Sequence, residues 1–85
     1  MHKILRIESE IGNMRIVEKA IDELSSELGI NADNYGKIMV TTMEAVNNAI
    51  IHGNKSDCRK IVIIEIREQN EHLKISVQDE GNGFR

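Results

Sequence analysis

Two stretches of this chain carry residues whose types and spacing suit chemistry. Glu44-Ala45-Val46-Asn47-Asn48-Ala49-Ile50-Ile51-His52-Gly53 sets a carboxylate, a carboxamide and an imidazole at intervals of four residues. Asp79-Glu80-Gly81-Asn82-Gly83-Phe84 sets a carboxylate ahead of two glycines. By itself, a Glu and an Asn four apart reads as a solvated helix face or as the edge of a cleft. A Gly-rich strand end reads as a tight turn whose acid accepts backbone hydrogens. Asp79-x-Gly81 also faintly suggests a calcium loop, but that loop needs a bidentate Glu eleven residues on and a flanking helix, neither of which fits here. His2, His52 and His72 lack the paired spacing of a zinc site.

The elements that must position these residues follow from periodicity. Leu5 and Ile7 alternate with Arg6 and Glu8, which predicts a strand over Lys3 to Ile11. Met14, Val17, Ile21, Leu24 and Leu28 show the three-and-four spacing of an amphipathic helix, with Asn13 placed to cap it and Gly29 to end it. Asn31 to Asn34 supply cap residues for a second helix running from about Asp33 to Ile51. At about 100° per residue, Tyr35, Ile38, Met39, Thr42, Met43, Val46, Ala49 and Ile50 share its core arc. Glu44, Asn48 and His52 drift by about 40° per step into one polar stripe beside that arc.

Gly53 to Lys60 reads as a polar loop, and Ile61 to Ile66 as a β-branched, well-buried strand. Glu68 to Glu71 form a polar turn, after which Leu73, Ile75 and Val77 alternate with Lys74, Ser76 and Gln78. Parity then turns Asp79 inward, in register with three aliphatics, where a carboxylate is costly to bury without a hydrogen-bonding partner.

Composition narrows the function classes. The 85 residues hold 11 Lys+Arg and 14 Asp+Glu, a net charge of −3 that argues against neutralising a nucleic-acid backbone. With 40% hydrophobic and 29% charged residues, the chain reads as one globular domain with an aliphatic core. Tyr35 and Phe84 are its only aromatics, too few for a base-stacking platform. No apolar run approaches the ~18–20 residues of a membrane span, and the start does not resemble a signal peptide, so a cytoplasmic protein is expected. The single Cys58 cannot close an intramolecular disulfide.

In this order, and separated by a β-hairpin, Glu44-x-x-x-Asn48-Ala49-x-x-His52 and Asp79-x-Gly81-x-Gly83-Phe84 resemble the first two ATP-binding boxes of the GHKL superfamily of gyrase-type ATPases, heat-shock chaperone ATPases, histidine kinases and mismatch-repair ATPases. The run from Glu44 to Gly53 is most similar to that of the bacterial anti-sigma-factor serine kinases, with sensor histidine kinases fitting less well. The resemblance spans essentially all 85 residues and implies an α+β, partial Bergerat fold. Its order is β-α-α-β-β, with helices on one face of a mixed or antiparallel sheet, and residues 1–85 form the N-terminal portion of one histidine-kinase-like ATPase domain.

The resemblance also implies roles. Glu44 would be the general base of phosphoryl transfer, and Asn48 would bind Mg²⁺ and the phosphates. Asp79 would accept a hydrogen bond from the adenine amino group, and Gly81 and Gly83 would let the backbone approach the nucleotide. His52 is either a nucleotide contact or a cap on helix-end carbonyls. Gly53 most simply ends the helix, and Glu80 carries no assigned role. ATP and Mg²⁺ are the implied cofactors, and a sigma factor and an anti-anti-sigma protein the implied partners.

Complete members continue with a lid and a further Gly-rich box, so 85 residues alone are expected to be inactive. The shortened sheet is expected to expose an edge and favour a homo-oligomer, a dimer. A non-catalytic, GHKL-derived interaction module is the alternative.

Overall fold

The computed structural model describes residues 2–69 and 72–81. Strand β1 (His2–Glu8) leads through a single 3₁₀ turn (Ile11–Asn13) into helix α1 (Met14–Leu28). Helix α2 (Ala32–Asn48) passes directly into a π turn (Ala49–Gly53), and strands β2 (Ile61–Gln69) and β3 (His72–Gln78) complete the described chain. The sheet has the order β1-β2-β3 and both pairings are antiparallel. Of the two expected sheet types, the antiparallel one is therefore observed among the described residues.

Local chemistry explains most boundaries. Gly29 ends α1 in the left-handed region at φ 66°, and the Ile30 N–H returns to the Ser25 carbonyl at 3.0 Å. The Asn31 side chain accepts the Asn34 N–H at 2.9 Å and starts α2, as its cap residues predict. Asn13 does not cap α1 with its side chain. Its backbone is already helical, and its amide donates instead to the Glu8 carbonyl at 3.0 Å. Nor does β1 extend to Ile11, because Ser9 turns inward and both its N–H and its hydroxyl donate to the Lys60 carbonyl. Strand β2 continues through Gln69, so Glu68 and Gln69 pair with Leu73 and His72 and do not form a turn.

The two helices cover one face of the sheet. Val17, Ile21 and Leu24 of α1 and Val46, Ala49 and Ile50 of α2 and its π turn meet Ile7, Val62, Ile64 and Ile66 in one buried cluster. The register Ile7↔Val62 and Ile64↔Val77 places the inward sets of the three strands side by side. The run Ile61–Ile66 is buried on one face only: Val62, Ile64 and Ile66 point inward, while Ile61, Ile63 and Glu65 are half-buried on the other. On that outer face Glu65 accepts from His2 at 2.6 Å and from Arg67 at 3.2 Å, and these partners hold its carboxyl below the usual range. Between the helices, the Tyr35 hydroxyl donates to Asp22, which raises the phenol's pKa.

Ile64 and Ile4 sit on opposite faces of adjacent strands, with exposures of 0% and 42%. Ile64→Ala should lower unfolding free energy by about 2–5 kcal/mol in urea titrations, whereas Ile4→Ala should stay within about 0.5 kcal/mol. In the loop before β2, Asp57 accepts the Arg59 backbone N–H and two guanidinium N–H groups, each at 3.0 Å. The guanidinium contact, followed by the backbone one, lowers the Asp57 pKa from 3.8 to about 2. A depressed carboxylate contributes stability above its unfolded value and loses it as pH falls through the folded one. NMR titration should therefore find Asp57 near pH 2, rising part of the way toward the ordinary range in Arg59→Ala, which removes the guanidinium and keeps the backbone N–H.

Candidate functional site

The site residues assemble where α2 stops being an α-helix. Regular hydrogen bonding ends at Asn48, and the next turn is widened: the Asn54 N–H reaches back five residues to the Ala49 carbonyl at 2.8 Å. The helix predicted to reach Ile51 thus ends three residues earlier as α and continues as π. Ala49 and Ile50 remain buried through this turn, so the core arc is kept while the backbone is redirected. Lys55 and Ser56 then adopt left-handed backbone at φ 53° and 56°, and the Ser56 N–H closes onto the Ile50 carbonyl at 2.7 Å.

This redirected turn delivers Gly53 against Asp79. A Cβ added at Gly53 would overlap the Asp79 carboxylate and lie 3.0 Å from its Cβ. The absence of a side chain at Gly53 is what admits the acid, a role beyond simply ending the helix. Asp79 itself is half-buried, continuing the half-buried series Leu73, Ile75, Val77 on the helix-facing side of β3, as parity predicts.

The next residue, Asn54, is completely buried, and its side-chain amide uses all of its hydrogen-bonding capacity. Nδ2 donates to Ser9 Oγ at 2.8 Å and to the Ile61 carbonyl at 3.1 Å. Oδ1 accepts the N–H groups of Glu80 at 2.7 Å and Gly81 at 2.9 Å. One side chain therefore ties the end of β1 and the start of β2 to the two peptides after Asp79. Glu80 also acquires a role: its Oε2 accepts the Ile61 N–H at 2.6 Å, extending the β2–β3 pairing past Gln78.

Of the candidates named from sequence, Asp79 and Gly81 are held at this corner. Gly81 takes a positive φ of 25°, a conformation a residue with a Cβ rarely adopts. Glu44 and Asn48 lie on α2 with exposed side chains, and His52 is exposed within the π turn. With about 1.5 Å of rise per residue, Asn48 and Glu44 are roughly 7 Å and 13 Å along the helix from Gly53. Gly83 and Phe84 lie outside the described residues.

A groove of about 320 Å³ runs between α2 and β3, lined by Thr41, Thr42 and Ala45 on one side and Leu73, Ile75 and Val77 on the other. Val77 precedes Asp79 by two residues, so the groove runs toward the corner. A larger cavity of about 440 Å³ lies at the opposite end, among Leu28, Ile30, Ile38 and Leu73, away from these polar groups. Among the described residues no three His, Cys, Asp or Glu side chains group as a metal site, no helix is long and apolar enough to cross a membrane, and Cys58 is exposed.

Sequence reasoning missed Gly53 as a spacer, Asn54 as a buried tie and Glu80 as a backbone acceptor. Gly-Asn after a helix is ordinary turn punctuation, and neither periodicity nor spacing marks such an Asn as buried.

Comparison with known proteins agrees with this architecture. Residues 7–85 match the family model of the histidine kinase-like ATPase domain. The anti-sigma F factor of Clostridium perfringens is 34% identical over 65 residues, which cover 76% of this chain and 46% of that protein. The anti-sigma F factor of Oceanobacillus iheyensis is 30% identical over 73 residues, covering 86% and 50%, and that of Bacillus subtilis 32% over 59 residues, covering 69% and 40%. The chain thus spans about half the length of these relatives. With two helices over one face of an antiparallel sheet, and a match running from β1 past the acid that follows β3, the chain belongs to the histidine kinase-like ATPase family.

Proposed function

We propose that this chain is the nucleotide-binding portion of an anti-sigma-factor serine kinase, one that binds ATP, engages a sigma factor and phosphorylates a serine on an anti-anti-sigma partner. The observation that carries this reading is the seating of Asp79 against Gly53, which joins the end of the α2 segment and the strand-end acid at one corner. An aliphatic groove wall that ends at Val77, two residues before this carboxylate, suits a flat, weakly polar base that offers an exocyclic N–H, which is adenine's chemistry.

In this reading Asp79 accepts the adenine amino hydrogen and Gly81 and Gly83 give the backbone close approach to the nucleotide. Asn48 contacts the phosphates one π turn back along the helix, where the exposed His52 is a further candidate contact. Glu44, a turn beyond, orients and deprotonates the attacking serine hydroxyl. The exposed side-chain oxygen of Asn48 is a hard donor that would suit Mg²⁺. That ion, when bound with the triphosphate, neutralises charge developing on the phosphate oxygens. A cytoplasmic location and a homodimer complete the proposal.

The alternative is an interaction module that regulates a partner without turning over ATP. The apolar groove between α2 and β3 favours it, because such a surface binds a protein as readily as a base. ATP-independent partner capture that survives Asp79→Asn would select it.

Two substitutions test the kinase reading in the full-length protein. Asp79→Asn replaces the acceptor with an amide that can present a donor to adenine's amino group, and should weaken ATP binding at least about tenfold by calorimetry. Unchanged affinity would refute the adenine assignment. Glu44→Gln should keep ATP affinity within about threefold and reduce phosphotransfer by about 10²–10⁴-fold. Full turnover in that variant would remove Glu44 as the base.

A further inference from the structure

We infer that Gly53 and Asn54 are positioning residues for nucleotide selection, acting through Asp79, an inference that rests on the nucleotide reading above. Two independent features of the corner support it. The first is steric: the Asp79 carboxylate occupies the volume that any side chain at Gly53 would need. The second is polar: Asn54 Oδ1 binds the Glu80 and Gly81 N–H groups at 2.7 and 2.9 Å, fixing the peptides next to Asp79.

Asn54 is itself immobilised from the other side. Its Nδ2 is held by Ser9 Oγ and the Ile61 carbonyl, and Ser9 is anchored in turn by donating its hydroxyl to the Lys60 carbonyl at 2.8 Å. The amide is fully buried, so no water competes for these contacts. A carboxylate that reads a base must hold its oxygen within a few tenths of an ångström of the donor. Gly53 sets how deeply the Asp79 side chain can seat, and Asn54 sets the backbone that carries it.

A purely structural residue, when replaced, weakens all nucleotides by the same factor. A residue that positions the base-reading acid changes discrimination, because guanine offers a carbonyl where adenine offers an amino group. The experiment measures ATP and GTP affinity by calorimetry in the full-length protein and in its Gly53→Ala and Asn54→Ala variants, with thermal melts of each. A double-mutant cycle pairs Gly53→Ala with Asp79→Ala.

The expected result is an ATP affinity at least about tenfold weaker in both single variants, with the ATP-over-GTP preference falling by a similar factor. In the cycle, Gly53→Ala should lower the melting temperature of the wild type clearly more than that of Asp79→Ala, since the clashing carboxylate is gone and only the Cβ contact at 3.0 Å remains. This holds even where Gly53→Ala alone fails to fold, because Asp79→Ala should then restore folding. Additive losses in the cycle, or a folded Gly53→Ala or Asn54→Ala variant with wild-type ATP affinity and preference, would overturn the positioning role. Equal weakening of ATP and GTP would overturn it too. A wild-type protein that binds neither nucleotide fails differently: it sinks the nucleotide reading itself, and this inference with it.

Discussion

The buried Asn54 amide is the interaction on which the rest of the site depends. Four hydrogen bonds from one side chain join three stretches of chain that are far apart in sequence: Ser9, Ile61 and the Glu80–Gly81 peptides. A buried amide costs free energy unless each of its polar atoms finds a partner, and here each does. The network is therefore close to all-or-none. Removing one partner strands a buried donor or acceptor, which costs about 1–3 kcal/mol, comparable to deleting methyl groups from the core.

The π turn makes the network reachable. Had α2 continued as a regular helix past Asn48, Gly53 and Asn54 would have stayed on the helix cylinder, with Asn54's N–H bonded to Ile50. Instead that N–H bonds to Ala49, and the Ile50 carbonyl is taken by Ser56. The widened turn keeps Ala49 and Ile50 in the core while swinging the following residues toward the end of β3. Left-handed backbone at Lys55 and Ser56 is part of that geometry; two successive non-glycine residues there cost on the order of 1–2 kcal/mol each, which the Asn54 contacts and the core burial must outweigh.

The layers of this structure differed in how legible they were in the amino-acid sequence. Periodicity exposed α1, the core arc of α2 and the inward residues of β3, because each repeats a simple pattern against a single apolar face. Gly29 and Asn31 were legible because helix-end chemistry is local, the bonds spanning three to five residues. Asn13 misled for the same reason: the cap pattern was present, but a 3₁₀ turn had already begun the helix and freed its amide for Glu8. Asp79 was visible as a carboxylate out of place among aliphatics. The partners of Asn54 and the spacer role of Gly53 were not visible, since their contacts span 7 to 45 residues in sequence and depend on a π turn that no helical count anticipates.

The described chain also divides its site unevenly, and that division constrains any mechanism it supports. The corner around Asp79 is tightly braced by a steric stop at Gly53, a peptide clamp at Asn54 and the Glu80 bond to Ile61. Glu44, Asn48 and His52 stand exposed on the helix and its π turn. A braced acid suits recognition, where a fixed acceptor rejects the wrong donor pattern before anything else happens. Exposed side chains suit groups whose geometry is completed by what binds, because a hydrated carboxylate or amide gains its orientation only when a charged ligand displaces its water. In the proposed kinase, selection of the base would then be built into this fold, whereas alignment of the phosphates and the attacking hydroxyl would arise on binding. The two functions would respond differently to mutation: discrimination would track the buried corner, and turnover would track the exposed face of α2.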